Sequence, residues 1–421
     1  MKLTKGKAIQ VILDNALLSA VDIGKENNNA SFFLRDNQEV KRIKFDNDRG
    51  GFEKFWFEVE KIVNKYKLVK VIIGYESTGP YGEPFIHYVK SMPKVELIQV
   101  NPMHTKKLKE LVDNSPNKTD KKDPRVIAAI IRLGYGLSVV IPEGAAAELR
   151  ALTSARESHM KHKNKISNQL HSLIYEIFPE FEKTIGTYNK TGHKLLNDYA
   201  TPKAIIDLGV EELIVKIRKY SRGKLGVMKA ISLYNSAKKS IGIKEGLKSK
   251  VLHVKQILSQ INQLNRYIKD VEGQLEEMLQ KISYSKQLLS IKGIGIVSAA
   301  GIIGEVGDFR DYQNQSEIIK MAGLDLYEVS SGKHKGERHI TKRGRSLLRK
   351  ILYFVSLNMI KKNGIMYNDY QRLINNGMLR TKAIVAISKK LLVIMFAMVR
   401  DNKDYIQDYH TYNYQQLKMA A

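Results

Sequence analysis

The chain has 421 residues, enough for about three domains of ordinary size. It has no cysteine, which excludes disulfides, zinc–cysteine sites and thiol catalysis and fits a reducing, cytoplasmic setting. Its 70 Lys and Arg against 43 Asp and Glu leave a net charge of +27, an excess that a polyanion would neutralise. Those cations are spread along the whole chain and not gathered on one amphipathic helix, so nucleic acid is the expected partner and a membrane surface is not.

The first third alternates between strand-like and helix-like segments. Residues 17–24, 30–35 and 40–45 read as three consecutive strands, 51–66 as a helix, 69–76 as a strand rich in β-branched residues, 84–90 as a helix and 95–100 as a short strand. This βββαβαβ order predicts an α/β domain with a partly parallel sheet. After Pro142 the pattern turns helical. Leu149, Leu152, Arg156, His159, Lys163, Ile166, Leu170, Leu173 and Ile177 follow alternating spacings of three and four, a heptad seam with polar residues at its middle that Pro179 ends. A second, wholly apolar seam runs through Val254, Ile257, Ile261, Leu264, Ile268, Val271, Leu275, Met278 and Ile282. The two seams predict a coiled-coil middle, paired within the chain or with another subunit as a homodimer or homotetramer. Between them, residues 186–246 read as short helices broken by Gly, Pro and Asn, with no evident chemistry. From residue 288 to 401 the chain reads as helical with basic loops, and its longest apolar run, 391–399, is far short of the about 20 residues that span a bilayer. The polar, Tyr-rich tail is expected to be poorly ordered.

Four acidic residues hold special places. Asp22 ends one apolar strand and Glu76 another, while Asp120 and Asp123 open a helix after the loop 114–118. In an open α/β sheet, sites form beyond the carboxyl ends of the strands. Taken singly, each acid also reads as a helix cap or a solvated strand end. Together they would repel one another without a cation between them, and hard oxygen donors without His or Cys suit magnesium or manganese. Strand one, strand four and a late helix is the arrangement of an RNase H-like nuclease, in which two metal ions activate a nucleophile and steady a leaving oxygen.

The segments VDIGK (21–25), YESTGPYGEP (75–84), VNPMHTKKLK (100–109) and NKTDKKDP (117–124) resemble the successive motifs of the DEDD family of bacterial insertion-sequence transposases. The resemblance implies a RuvC-like N-terminal domain, a DEDD set of Asp22, Glu76, Asp120 and Asp123 holding magnesium, and guidance by a bridge RNA. Pro124 departs from the family pattern, which favours Ala there, but proline suits the first turn of a helix.

Residues 290–308, SIKGIGIVSAAGIIGEVGD, read as a helix-hairpin-helix whose Gly-Ile-Gly turn, flanked by Lys292, approaches a phosphate, or else as tight helix packing. Downstream, Ser330, Ser331 and Gly332 lie among Lys333, Lys335, Arg338, Lys342, Arg343 and Arg345. Clustered cations around a hydroxyl could bind a scissile phosphate and favour ionisation of the serine, or simply grip nucleic acid. This block resembles the family's second conserved domain, in which the serine before Gly is catalytic, and so maps that role onto Ser331. Lys382, Lys389 and Lys390 are further candidates to line DNA or RNA.

The expected organisation is therefore a RuvC-like catalytic domain (1–145), a helical coiled-coil region with an inserted helical segment (146–285), a transposase domain carrying the serine (286–403) and a tail (404–421). The resemblance implies a recombinase that joins donor and target DNA through a phosphoserine link, acting at the nucleoid with a guide RNA. A RuvC-like nuclease that uses water, a non-enzymatic scaffold, and an actin-type nucleotide-binding fold, which lacks support from further phosphate loops, are the alternatives.

Overall fold

A computed structural model describes residues 15–35, 37–76, 79–113, 123–138, 141–328 and 336–407. Most of the tail expected to be loose, from residue 408 on, lies outside these. The chain divides into two compact units, Met1–Ile141 with Arg310–Ile318 and Pro142–Phe309 with Ile319–Ala421. The first is mixed α/β and the second almost wholly helical.

The first unit is built on a six-stranded sheet of order β3-β2-β1-β4-β5-β6. Its strands are β1 (Ala16–Ile23), β2 (Asn27–Phe33), β3 (Glu39–Asp46), β4 (Lys70–Glu76), β5 (Val95–Val100) and β6 (Leu137–Ser138). Strands β1 to β3 form an antiparallel meander, β1, β4 and β5 run parallel, and β6 closes the far edge antiparallel. Only the two-residue β6 was absent from the pattern expected of the sequence, because two residues carry no periodicity. Helices α1 (Arg49–Tyr66) and α2 (Glu83–Lys90) join these strands, followed by α3 (Pro102–Asp113) and α4 (Asp123–Arg132).

Successive side chains of a strand point to opposite faces, and the central strands are apolar on both. Leu17, Val21 and Ile23 of β1 and Val71, Ile73 and Tyr75 of β4 pack beneath α1 and α2. Phe32, Phe45, Phe55 and Phe85 are fully buried there, and neighbouring rings among them lie 5.1 to 5.7 Å apart. Each such side chain contributes roughly 1.5–3 kcal/mol by burial. Ala16, Leu18 and Ala20 of β1 and Ile72 of β4 face the other way, against Val126, Ile127, Ile130 and Ile131 of α4. Gly74 permits that approach, since a Cβ there would lie 2.0 Å from the Ile131 side chain.

The second unit is organised around two 34-residue helices, α5 (Gly144–Ile177) and α11 (Leu247–Gln280). Arg156 bonds Glu272 at 2.7 Å, the rings of His159 and Tyr267 lie 5.6 Å apart, and Glu176 pairs with Lys250. As residue number rises along one helix it falls along the other, so the two run antiparallel within one chain. The polar middle of the first seam thus finds polar and aromatic partners on α11, at Glu272 and Tyr267 beside its apolar seam. Ile282 falls just past the end of α11.

Five short helices lie between them: α6 (Glu180–Thr184), α7 (Lys190–Asp198), α8 (Pro202–Leu208), α9 (Val210–Ser221) and α10 (Val227–Lys238). Phe181, Leu195, Ile205, Leu213, Ile217 and Leu233 merge into one core with Ile174, Ile177, Val254 and Leu258 of the long helices. The remainder comprises α12 (Ser285–Leu289), α13 (Ile296–Val306), α14 (Gln315–Ala322), a ribbon of β7 (Leu326–Tyr327) and β8 (His339–Ile340), α15 (Ser346–Met359), α16 (Tyr367–Asn375) and α17 (Arg380–Asp401). Among the described residues no helix is long and apolar enough to cross a membrane.

Helix α13 crosses α5 at backbone contact. A Cβ on Gly304 would lie 2.7 Å from the Arg150 nitrogen and 2.8 Å from the Leu149 carbonyl carbon. Backbone atoms cannot rotate away, so Gly304→Ala is expected to cost about 2 kcal/mol or more, read as a lowered denaturation midpoint; an unchanged midpoint would show that the crossing tolerates a methyl group. A second prediction concerns Glu39, whose carboxylate accepts from Arg42 and from Arg125 of α4. Burial pushes this carboxyl up, but the hydrogen bonds from Arg125, Arg42 and Ser31 outweigh it and hold the group below its ordinary value of 4.5. A depressed carboxyl contributes stability above its unfolded value and loses it as pH falls through the folded one. Acidification below 4.5 should therefore cost the wild type more unfolding free energy than Glu39→Gln, and parallel losses would reject the link.

Candidate active site

Two loci stand out, one in each unit. In the first unit, β1 pairs with β4 in parallel with Val21 opposite Tyr75. Asp22 and Glu76 are the next residues on each strand, so they sit side by side at the carboxyl ends of adjacent central strands. Strand alternation places both on the face of Ala20 and Gly74, the face that α4 covers. Both are half-buried. Asp123 is the first residue of α4 and Pro124 the second, so proline occupies the first turn as its chemistry favours. The side chain of Asp123, and all of Asp120, lie outside the described residues. Among the described residues no three acidic or histidine side chains form a metal-holding group. The two carboxylates that are described supply only hard oxygen donors, which fit magnesium or manganese better than a soft metal.

An asparagine network that the sequence pattern did not disclose organises the rim beyond these carboxylates. Asn28, fully buried on β2, accepts from the Gly24 amide at 3.2 Å and donates to Asn47 Oδ1 at 3.2 Å. Asn47 Nδ2 in turn donates to the carbonyls of Gly24 and Tyr81, at 3.3 and 3.1 Å. Tyr81 belongs to the single helical turn Gly79–Gly82 that follows β4. One side chain thus ties the segment after Asp22 to the segment after Glu76. Asn101, after β5, accepts from the Met103 amide at 2.9 Å and caps α3. A signal for that cap stood in the sequence as Asn before Pro, whereas the Asn28–Asn47 pairing is a contact between strand and loop that no local spacing encodes.

The second locus is the β7–β8 ribbon, in which Leu326 pairs with Ile340 and Tyr327 with His339. It was not expected from the sequence, which reads there as a basic loop. Thr341 donates to Asp325 at 2.5 Å, Lys342 N–H to the Gly323 carbonyl and Arg345 N–H to the Met321 carbonyl, so the base of the ribbon, beyond the Leu326–Ile340 pair, is pinned. The ribbon brackets the segment that holds Ser330, Ser331, Lys333 and Lys335, all of which lie outside the described residues. Lys342 and Arg343 are exposed and Arg345 half-buried. Arg338 pairs with Glu328 at 2.8 Å, Lys382 with Glu337 at 2.6 Å and Lys390 with Asp369 at 2.6 Å. These three cations are therefore partly neutralised, a pairing invisible in a linear count of charge. Lys292 is exposed on the turn between α12 and α13, where Ile291 and Ile294 are buried and Gly293 has φ +104°.

Residues 20–179 match the family described as "Transposase", of the DEDD type, and residues 285–371 match "Transposase IS116/IS110/IS902 family". The chain belongs to this family of transposases. It is 26% identical over 290 residues, 68% of its own length and 72% of the relative's, to a 44.8 kDa protein of insertion element IS116 from Streptomyces clavuligerus. It is 22% identical over 294 residues to a 43.6 kDa protein of insertion element IS110 from Streptomyces coelicolor, with the same shares of each chain. A 42 kDa protein of insertion element IS900 from Mycobacterium paratuberculosis is 25% identical over 292 residues, 68% of this chain and 73% of that one. The chain is thus an enzyme of DNA transposition. Asp22, Glu76 and Asp123 fall in the first matched segment of the transposase and the β7–β8 ribbon in the second, while residues 180–284 fall in neither.

The rim network is testable without any activity assay. Asn47→Ala should cost about 1–2 kcal/mol by leaving polar partners unmet, and should speed hydrogen exchange at the Gly24 amide. Unchanged exchange at Gly24 would make Asn47 a bystander.

Proposed function

We infer that this transposase cuts and rejoins DNA through a serine nucleophile, with Ser331 attacking the phosphodiester and Asp22, Glu76, Asp120 and Asp123 holding magnesium. The observation that carries the reading is the β1–β4 register, which sets Asp22 and Glu76 side by side on the face shared with α4, the helix that Asp123 opens. A family with two conserved segments, one holding the acids and one holding the basic serine loop, supports dividing the work between them. Residues 1–145 are then the RuvC-like catalytic domain, 146–285 a coiled-coil region with its helical insertion, and 286–403 the domain that supplies the serine.

In this mechanism Lys333, Lys335, Lys342, Arg343 and Arg345 hold the scissile phosphate and favour ionisation of the Ser331 hydroxyl. Attack forms the bond from Oγ to phosphorus and breaks the bond from phosphorus to the leaving sugar oxygen, which ends with the seryl proton. The phosphoserine link conserves the phosphodiester, so rejoining to a target strand needs no external energy. Magnesium, when bound by the four carboxylates, supplies positive charge where negative charge develops. Arg338, with Glu328 as its alternative partner, joins the phosphate-binding set once nucleic acid competes for it. Lys292 and the Gly293–Gly295 turn form a helix-hairpin-helix contact to a DNA backbone. Sequence choice rests with a bridge RNA that the protein reads by shape. Pairing of α5 with α11 inside one chain satisfies most of both seams, so assembly into dimers or tetramers uses the surface they leave exposed.

Two substitutions separate this reading from a nuclease that uses water. Asp22→Asn should lower DNA cleavage at least about a hundredfold while leaving DNA binding intact, the size expected on losing one electrostatic stabiliser. Ser331→Ala should abolish both the covalent protein–DNA adduct and strand exchange, with Ser330→Ala retaining them. Full cleavage by Ser331→Ala would instead establish the nuclease, and an adduct that persists in it would move the nucleophile elsewhere.

A further inference from the structure

The helical insertion between α5 and α11 lies outside both matched segments and has no part in the chemistry above. Its second half is electrically one-sided: between residues 216 and 244 there are nine Lys or Arg and no Asp or Glu. Helices α9 and α10 are joined by the short turn 222–226, which brings the last turn of α9 and the first turn of α10 to one end of a hairpin. That end carries Arg218, Lys219, Arg222, Lys224 and Lys229, all exposed. The first four form no ion pair among the described residues, whereas Lys229 donates to the Thr184 carbonyl at 3.0 Å.

Helix electrostatics account for only part of this cluster. Arg218 and Lys219 suit the negative end of α9. Lys224 and Lys229, however, flank the positive end of α10, which has no acidic residue in its first turn and no side-chain cap. Cations at that end are unfavourable in the free protein, by mutual repulsion and against the helix dipole. The end of a two-helix hairpin is about 20 Å across, and a duplex presents one negative charge per about 1.7 Å of its axis. A run of phosphates would relieve the repulsion along the whole width.

We propose that the α9–α10 hairpin end is a second DNA-binding surface of this transposase, gripping the backbone of duplex DNA with residues separate from those assigned to cleavage. The choice of duplex DNA as the polyanion rests on the transposase assignment. The cluster between residues 218 and 229 holds cations and no Asn, Gln or acidic side chain, a composition that suits phosphate contacts first.

The test compares full-length wild type with R218Q/K219Q/R222Q/K224Q, using a fluorescein-labelled mixed-sequence duplex and anisotropy titrations at several salt concentrations. Four lost phosphate contacts should flatten the plot of log affinity against log salt by about 3 to 4, and weaken binding roughly ten- to a hundredfold at moderate salt. A control, K239Q/K244Q/K248Q/K255Q, removes equal charge at the far end of α10 and the start of α11, and should change the slope much less. Equal effects of the two variants would reduce the result to net charge and overturn the proposal, as would an unchanged slope. A slope that falls on a structured RNA hairpin but not on the duplex would overturn the assignment to DNA. Circular dichroism melting of both variants checks the fold, and if the quadruple variant melts early, Lys219→Gln with Lys224→Gln should show half the slope change. Binding is read without cleavage, so failure here leaves the roles of Asp22 and Ser331 untouched, and their failure leaves this result standing.

Discussion

Everything at the carboxylate locus depends on the register of two parallel strands. Because strand side chains alternate, a slip of one residue between β1 and β4 would turn one of the two acids toward the phenylalanine cluster under α1 and α2. An ionised carboxylate there would lose its hydration with nothing to replace it. The aromatic core therefore does more than stabilise the sheet: it forbids the register in which Asp22 and Glu76 part company. Gly74 completes the constraint from the other face, since the missing Cβ lets Ile127 and Ile131 of α4 settle directly on β4.

Much of this was legible in the sequence because it is carried by strong local periodicity. The succession of strands and helices, the ends of β1 and β4, and both long helices follow from apolar patterns of period two or three-and-four, and a partly parallel sheet from the alternation of strands with helices. What escaped detection has a common physical cause. Strand β6 and the β7–β8 ribbon are two residues per strand, too short for any period, and are held by partners far along the chain. The asparagine network links residues 24, 28, 47 and 81, and hydrogen bonds at such separations leave no pattern in a window of ten. The close packing of α13 on α5 was one of two readings open for residues 290–308, beside a phosphate-approaching turn at Gly293 and Gly295, and it falls on Gly304 of the helix that follows that turn.

Formal charge proved a poor guide to which cations face solvent unpaired. The ribbon and α17 are both rich in Lys and Arg, yet Arg338 beside the ribbon and Lys382 and Lys390 of α17 are paired with Glu328, Glu337 and Asp369. Such exposed pairs hold about 0–1 kcal/mol and exchange readily for a phosphate, so they tune affinity and orientation more than they add to it. The insertion behaves in the opposite way, with little in its sequence to suggest chemistry but with Arg218, Lys219, Arg222 and Lys224 forming no ion pair among the described residues.

The antiparallel pair of α5 and α11 has a mechanical consequence. At 34 residues each, the helices make a rod about 50 Å long, with the helical insertion at one end and the Lys292 turn following the other. A rod of that length corresponds to roughly one and a half turns of duplex. Because Ile166, Leu170, Leu173 and Ile177 of α5 share one buried core with Val254, Ile257, Ile261 and Leu264 of α11, the rod behaves as a ruler and not a tether. Inserting whole heptads into both helices would lengthen it without disturbing the packing, so the separation between the insertion and the Lys292 turn is written into the helix length itself.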